Sequence, residues 1–177
     1  MNVIFMSLLT LPFSSAQTAS TTNATSQGQN LTGTEQDANL TGTAESGNLT
    51  GTAEDAPITG TSQNDILNGT AGNDTIFGGA GFDNITGNDG NDEIDGGVGG
   101  DNILSEIGDD VVFGGIGNDN ISAGDGNDDL YGGPGADFLD GGTGSDHFDC
   151  GSSSDTISNL NISEGDIAMA NCEKIAR

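Results

Sequence analysis

Eleven aspartates recur at nine-residue steps: Asp65, Asp74, Asp83, Asp92, Asp101, Asp110, Asp119, Asp128, Asp137, Asp146 and Asp155. A row of carboxylates with this spacing suits the binding of a hard cation, because Ca²⁺ takes about six to eight oxygens from carboxylates and carbonyls. Glycine-rich loops run beside them. The backbone carbonyls of Gly78, Gly96, Gly114, Gly132 and Gly141, each five residues before an aspartate, are the expected second source of oxygen. Closely spaced carboxylates also serve general acid–base chemistry, but their repetition suits stoichiometric metal binding better. The chain has one histidine, His147, and two basic residues, Lys174 and Arg177, all near its end. No catalytic constellation is visible, and the expectation is a protein that is not an enzyme.

To keep the aspartates in file, the residues between them must repeat as well. Residues 60–158 divide into eleven frames without insertion or deletion, from GTSQNDILN and GTAGNDTIF through GGVGGDNIL to GGTGSDHFD and CGSSSDTIS. A fixed period of this kind implies stacked units rather than an ordinary globule. The eighth position is always apolar: Leu67, Ile76, Ile85, Ile94, Ile103, Val112, Ile121, Leu130, Leu139, Phe148 and Ile157. One apolar residue between two polar neighbours gives a very short strand whose central side chain points inward. Glycine at the first and fourth positions supplies the backbone angles of a tight loop and lets carbonyls approach a shared centre. Each nonapeptide is then a strand plus a turn, and two make one coil. The expected fold is all-β, a parallel β-helix of two sheets with cations in its loops.

The frames GGAGFDNIT, GGVGGDNIL, GGIGNDNIS, GGPGADFLD and GGTGSDHFD resemble the G-G-x-G-x-D-x-U-x nonapeptide of RTX (hemolysin-type) calcium-binding proteins. The resemblance covers residues 60–158 and implies a β-roll with Ca²⁺ between loops of adjacent coils, bridged by aspartates 18 residues apart. On this chain one edge would couple Asp65, Asp83, Asp101, Asp119, Asp137 and Asp155, and the other Asp74, Asp92, Asp110, Asp128 and Asp146. That arrangement implies up to nine ions, about one for each gap between successive loops on an edge. Three loops depart from the pattern. Ser105-Glu106-Ile107 replaces Gly-Gly-x before Asp110, Ser153 stands at the fourth position before Asp155, and Gln63 does so before Asp65. These three aspartates are the weakest expected ligands.

Upstream, residues 30–59 read NLTGTEQDA, NLTGTAESG, NLTGTAEDA and PIT. Leu31, Leu40, Leu49 and Ile58 keep the nine-residue step, but the sixth position becomes Ala38, Gly47 and Ala56. Either these frames add coils without metal or they form a Thr-rich stalk. The stalk is preferred, because a thin core lacking cations has little to hold it. Residues 17–59 are therefore read as a Thr/Ser/Asn-rich linker with degenerate repeats. Sequons at Asn23, Asn30, Asn39 and Asn48 make glycosylation of an exported stalk an open question. Residues 1–16 form an apolar run ending in Ser-Ser-Ala, which fits a cleavable signal peptide although no Lys or Arg precedes it. The run is too short to span a bilayer. Residues 159–177 read as a cap over the open end of the solenoid, with Leu160, Ile162, Ile167 and Ile175 as its apolar side, and Glu164 and Asp166 as solvated charges. In an exported chain Cys150 and Cys172 are expected to form a disulfide, two free buried thiols being the alternative.

The formal net charge is −26, from 28 acidic residues against two basic ones. This polyanion is an unlikely nucleic-acid ligand, and its self-repulsion calls for charge dispersal or bound cations. The expected partner is calcium, held by a monomer that is secreted, extracellular or on the cell surface. Surface or matrix association is compatible with this reading, a membrane span is not. The expected role is a calcium-folded structural or surface-associated module. Two other roles compete: an RTX appendage of a type I secreted effector, and an ice-binding β-helix. The varied third position (Ser62, Ala71, Ala80, Asp89, Val98, Ile107) argues against a flat ice-binding face.

Overall fold

A computed structural model of the chain describes residues 22–23, 30–32, 40–41, 47–51, 57–172 and 174–175. Its strands alternate strictly between two nine-stranded parallel sheets, so each strand pairs with the strand two places along the chain. Within the array this pairing is in register at a separation of 18: Asn102 lies against Asn120, Ile103 against Ile121 and Leu104 against Ser122. Two nonapeptides thus complete one coil, and the β-solenoid expected from the period is the fold observed. There is no helix among the described residues.

The core is the eighth-position column. Every one of its eleven residues, from Leu67 to Ile157, is buried, and each stacks on the equivalent residue of the next coil. Parallel pairing places like upon like, so a single apolar position per repeat becomes a continuous seam between the sheets. Burial of each side chain stabilises the stack by roughly 1.5–3 kcal/mol.

The strands differ from expectation in length. Seven of them run to six residues, as in Thr75–Ala80 and Glu93–Val98, and include the first three positions of the next repeat, with its two glycines where it has them. Gly79 pairs with Gly97, and Gly97 with Gly115. The glycine roles change accordingly. Left-handed angles fall at the second and fourth positions, for example φ 98° at Gly97 and 151° at Gly99, rather than at the first. The first glycine is needed for close approach of the backbones instead. A Cβ on Gly96 would stand 2.6 Å from the carbonyl oxygen of Gly114 and 2.7 Å from Asp101 Oδ2.

The stalk preferred for residues 30–59 does not describe their visible strands. Asn30–Thr32 pairs with Asn48–Thr50 and that strand with Ile66–Asn68, while Leu40–Thr41 pairs with Ile58–Thr59 and that strand with Thr75–Ala80. Leu49 and Ile58 are buried in the same seam as the array. Peptide hydrogen bonds and the apolar step extend the ladders upstream of Asp65, the first aspartate of the array. The proposed signal peptide at 1–16 and the sequon at Asn39 lie outside the described residues.

The cap also departs from expectation. Ile162, Ile167 and Ile175 are exposed, whereas Leu160, Ala168 and Cys172 pack against the core. Ile167–Ala168 adds a strand to one sheet, with Ala168 opposite Phe148, and Lys174–Ile175 adds one to the other. The segment therefore prolongs both ladders by one more coil, built on two-residue strands. Cys150 and Cys172 form a disulfide with Cα atoms 5.1 Å apart, fastening this last coil to the core.

Candidate metal centre

Because each coil repeats at 18 residues, the sixth-position aspartates stack along the two edges where the chain turns. All eleven side chains are buried. On one edge the peptide N–H of Asp65 donates to Asp83 Oδ1, that of Asp83 to Asp101, of Asp101 to Asp119, of Asp119 to Asp137 and of Asp137 to Asp155, at 2.8–2.9 Å. The other edge links Asp74, Asp92, Asp110, Asp128 and Asp146 in the same way, at 2.8–3.1 Å. Each carboxylate from Asp83 to Asp155 so has one oxygen fixed by the backbone of the preceding coil, as does Asp65 through the Gly47 N–H at 2.6 Å.

The second oxygen is the unusual one. Oδ2 of Asp83, Asp92, Asp101, Asp110, Asp119, Asp128, Asp137, Asp146 and Asp155 is buried and has no hydrogen-bond partner. Burying a carboxylate oxygen without a donor or counter-charge is costly, so this atom calls for a cation or a proton. At Asp83, Asp92, Asp101, Asp119 and Asp137 it faces the first glycine of its own repeat, beside the first carbonyl of the next coil. A Cβ on Gly114 would lie 2.7 Å from Asp119 Oδ2 and 2.8 Å from the Gly132 oxygen, and one on Gly132 would lie 2.7 Å from both Asp137 Oδ2 and the Cys150 oxygen. A carboxylate and a carbonyl oxygen converge where glycine leaves room, although Ser105, Ala123 and Cys150 hold this position before Asp110, Asp128 and Asp155. Among the described residues no three His, Cys, Asp or Glu side chains come together. Any cation here must therefore draw heavily on backbone carbonyls, the habit of Ca²⁺ rather than of Zn²⁺.

A family model described as RTX calcium-binding nonapeptide repeat (4 copies) matches residues 50–85, 59–94, 68–103, 105–139 and 122–157. The chain belongs to the RTX calcium-binding nonapeptide-repeat family. No curated protein and no solved structure matches it. As an RTX protein it carries calcium-binding repeats in a β-solenoid, and the donor set just described fits that ion.

Electrostatics at the RTX loops follow from burial. Loss of water raises the carboxyl of Asp92 to about 7, against the lowering effect of the Asp74 N–H, with Asp110 and Asp74 adding like-charge repulsion. Asp128 is likewise raised to about 7, and Asp83 and Asp119 to about 6, each chiefly by burial. Asp101, Asp110, Asp137 and Asp146 shift upward for the same first reason. A metal-free carboxylate in these loops holds its proton more tightly than it would in water.

The three aspartates singled out as weak behave differently from one another. Asp110 and Asp155 stand in the ladders with no donor within hydrogen-bonding geometry of Oδ2, although the Ser105 hydroxyl beside Asp110, which donates to the Ala123 carbonyl, partly offsets the rise of its carboxyl. Glu106 and Ser153 take the left-handed angles of the glycines they replace, φ 80° and 110°, so the loop shape survives. Asp65 does depart: its Oδ2 accepts the N–H of Thr61 at 2.7 Å and the Thr61 hydroxyl at 2.8 Å. Of the carbonyls expected to take part, those of Gly78, Gly96, Gly114 and Gly132 face the first glycine of the coil before. Gly141 is packed by Asp146 Oδ2 and the Phe148 ring.

Sequence reasoning missed one member of the ladder. Asp166, read as a solvated charge, is buried; its Oδ1 accepts the Asp146 N–H at 3.1 Å and its Oδ2 the Asn161 N–H at 2.6 Å. The signal was the Asp-Ile-Ala run at 166–168, which matches the aspartate, variable and apolar positions of a repeat but arrives 20 residues after Asp146 instead of 18. His147 lies on the outer side of its strand with Nδ1 3.4 Å from Asp129 Oδ1, away from the aspartate ladder.

Proposed function

We propose that this RTX chain is an extracellular structural module in which Ca²⁺, held by the buried Oδ2 atoms of the sixth-position aspartates and by first-position carbonyls, completes the loops between coils. The observation that carries the reading is the row of nine buried Oδ2 atoms without a donor. Bound calcium would supply the positive charge and oxygen affinity that these atoms lack. The protein's own part is to preset the ligands: the N–H ladder fixes each carboxylate, and the glycines bring carbonyls to it. Raised carboxyl pKa values at these positions show how poorly the loops tolerate the bare charge. An extracellular site of action is supported by the RTX repeats and by the Cys150–Cys172 disulfide, which persists in oxidising compartments. No helix among the described residues is long and apolar enough to cross a membrane.

The test is a calcium titration of the full chain followed by far-ultraviolet circular dichroism. The β signal is expected to grow cooperatively at roughly 10⁻⁴–10⁻³ M Ca²⁺. A spectrum indifferent to calcium from chelator to millimolar levels would overturn the reading.

A further inference from the structure

The aspartates of the ladders fall into two classes according to what their second oxygen meets. From Asp83 to Asp155 it meets no donor. In the first two repeats of the array it meets a threonine. Thr61 donates its N–H and hydroxyl to Asp65 Oδ2, and Thr70 donates its N–H at 2.6 Å and its hydroxyl at 3.0 Å to Asp74 Oδ2. Both hydroxyls also accept a peptide N–H two residues on, from Gln63 and Gly72, which fixes them in place.

The surroundings of these two carboxylates are otherwise those of the open ones. A Cβ on Gly60 would meet the Gly78 carbonyl and Asp65 Oδ2, as one on Gly78 would meet the Gly96 carbonyl and Asp83 Oδ2. What differs is the second residue. In later repeats it is left-handed, whether glycine (Gly79 φ 103°, Gly97 φ 98°, Gly115 φ 103°) or not (Asn88 φ 79°, Glu106 φ 80°). Thr61 and Thr70 are not among the left-handed residues. A β-branched side chain strongly resists that conformation, and with φ negative the second N–H points at the carboxylate. At the far end Asp166 is closed as well, by the Asn161 N–H.

We infer that the residue after the first glycine of each repeat selects whether its aspartate takes a cation, threonine closing the site with its own donors and a left-handed residue leaving it open. Asp65 and Asp74 are then structural acceptors, and the cation-bearing stretch runs from Asp83 to Asp155. The inference rests on calcium occupying the open carboxylates, as proposed above.

The experiment counts ions bound to the calcium-saturated full chain by native mass spectrometry, with circular dichroism to confirm folding. Thr61→Gly and Thr70→Gly should each add one ion, and the double variant two. Thr61→Ala, which keeps φ negative and the N–H in place, should add none. If the wild type binds calcium but the glycine variants do not gain ions, the selector is wrong and the calcium reading stands. If the wild type binds no calcium, both fall. Independently of the variants, anomalous scattering from wild-type crystals grown in calcium should place ions beside the open aspartates and none beside Asp65 or Asp74. An ion at either would overturn the inference.

Discussion

Each aspartate carboxylate divides its work between its two oxygens. Oδ1 takes a peptide N–H from the coil before and would do so equally well as an amide oxygen, whereas Oδ2 needs positive charge. Asp119→Asn therefore preserves the ladder while weakening the site. It should raise the calcium midpoint by about tenfold, the change that about 1.4 kcal/mol of lost binding produces, and leave the calcium-saturated dichroism spectrum intact. Acidity acts on the same atom. Because the folded carboxyls of Asp83, Asp92, Asp119 and Asp128 titrate near 6 to 7, above the ordinary 3.8, the metal-free fold binds more protons than the unfolded chain between about pH 4 and 7. Its stability is fully present below that window and falls as pH rises through it. Calcium must displace those protons. Lowering the pH from 8 to 5.5 should thus weaken calcium binding, and calorimetry near pH 6.5 should show a binding heat that varies with the buffer's ionisation enthalpy. A midpoint unchanged over this range would contradict the assignment of these carboxylates.

At the scale of the strand and its loop, conformation at the second position is the controlling variable. Gly115 has φ 103° and would bring a Cβ to 2.1 Å from the Gly97 carbonyl oxygen, so Gly115→Ala combines backbone strain with a clash. A loss of about 1–3 kcal/mol is expected from calcium-saturated denaturation curves. Glu106 holds the same left-handed region without being glycine. Glu106→Gly should relieve it and stabilise the loaded protein by up to about 1 kcal/mol, seen as a higher melting temperature. The period, the apolar column and the two aspartate edges could all be read from the sequence, because parallel stacking turns a repeat directly into a contact. Strand length could not: two glycines look like a loop, yet Gly97 and its neighbours lie within strands because a partner at 18 residues completes their hydrogen bonds. Asp166 escaped because a two-residue slip in spacing hides a position that backbone geometry restores. The threonine caps at Asp65 and Asp74 were hidden for a third reason, since their donors become visible only once φ is known.

For the molecule as a whole, the seam is one residue wide per repeat, so its stability is distributed along the axis and each coil leans on its neighbours. Chelation should therefore loosen the stretch from Asp83 to Asp155 first, while the threonine-capped coils around Leu67 and Ile76 keep more of their order. Hydrogen exchange in chelator, mapped by residue, should find slower amides near Thr61 and Thr70 than near Asp119. The Cys150–Cys172 bridge ties the last coil to the seam across a separation of 22 residues. Reduction should cost the calcium-loaded chain about 3 kcal/mol, measured as a drop in denaturation midpoint with and without reductant.

The hydrogen-bond file along each edge also has a direction. In every rung between aspartates the donor belongs to the earlier coil and the acceptor to the later one, from Asp65 to Asp83 through to Asp146 and Asp166. The N–H of each of these aspartates is thus satisfied only when the chain eighteen or twenty residues ahead has arrived, whereas the next residue's N–H, as at Asn84 and Asn102, donates back to the earlier coil. Growth in the order of synthesis always leaves a bare donor at the advancing face, which a carboxylate from the next turn then covers. A cut anywhere along an edge would therefore leave two unlike faces, a bare aspartate N–H on the earlier side and a bare carboxylate oxygen on the later one.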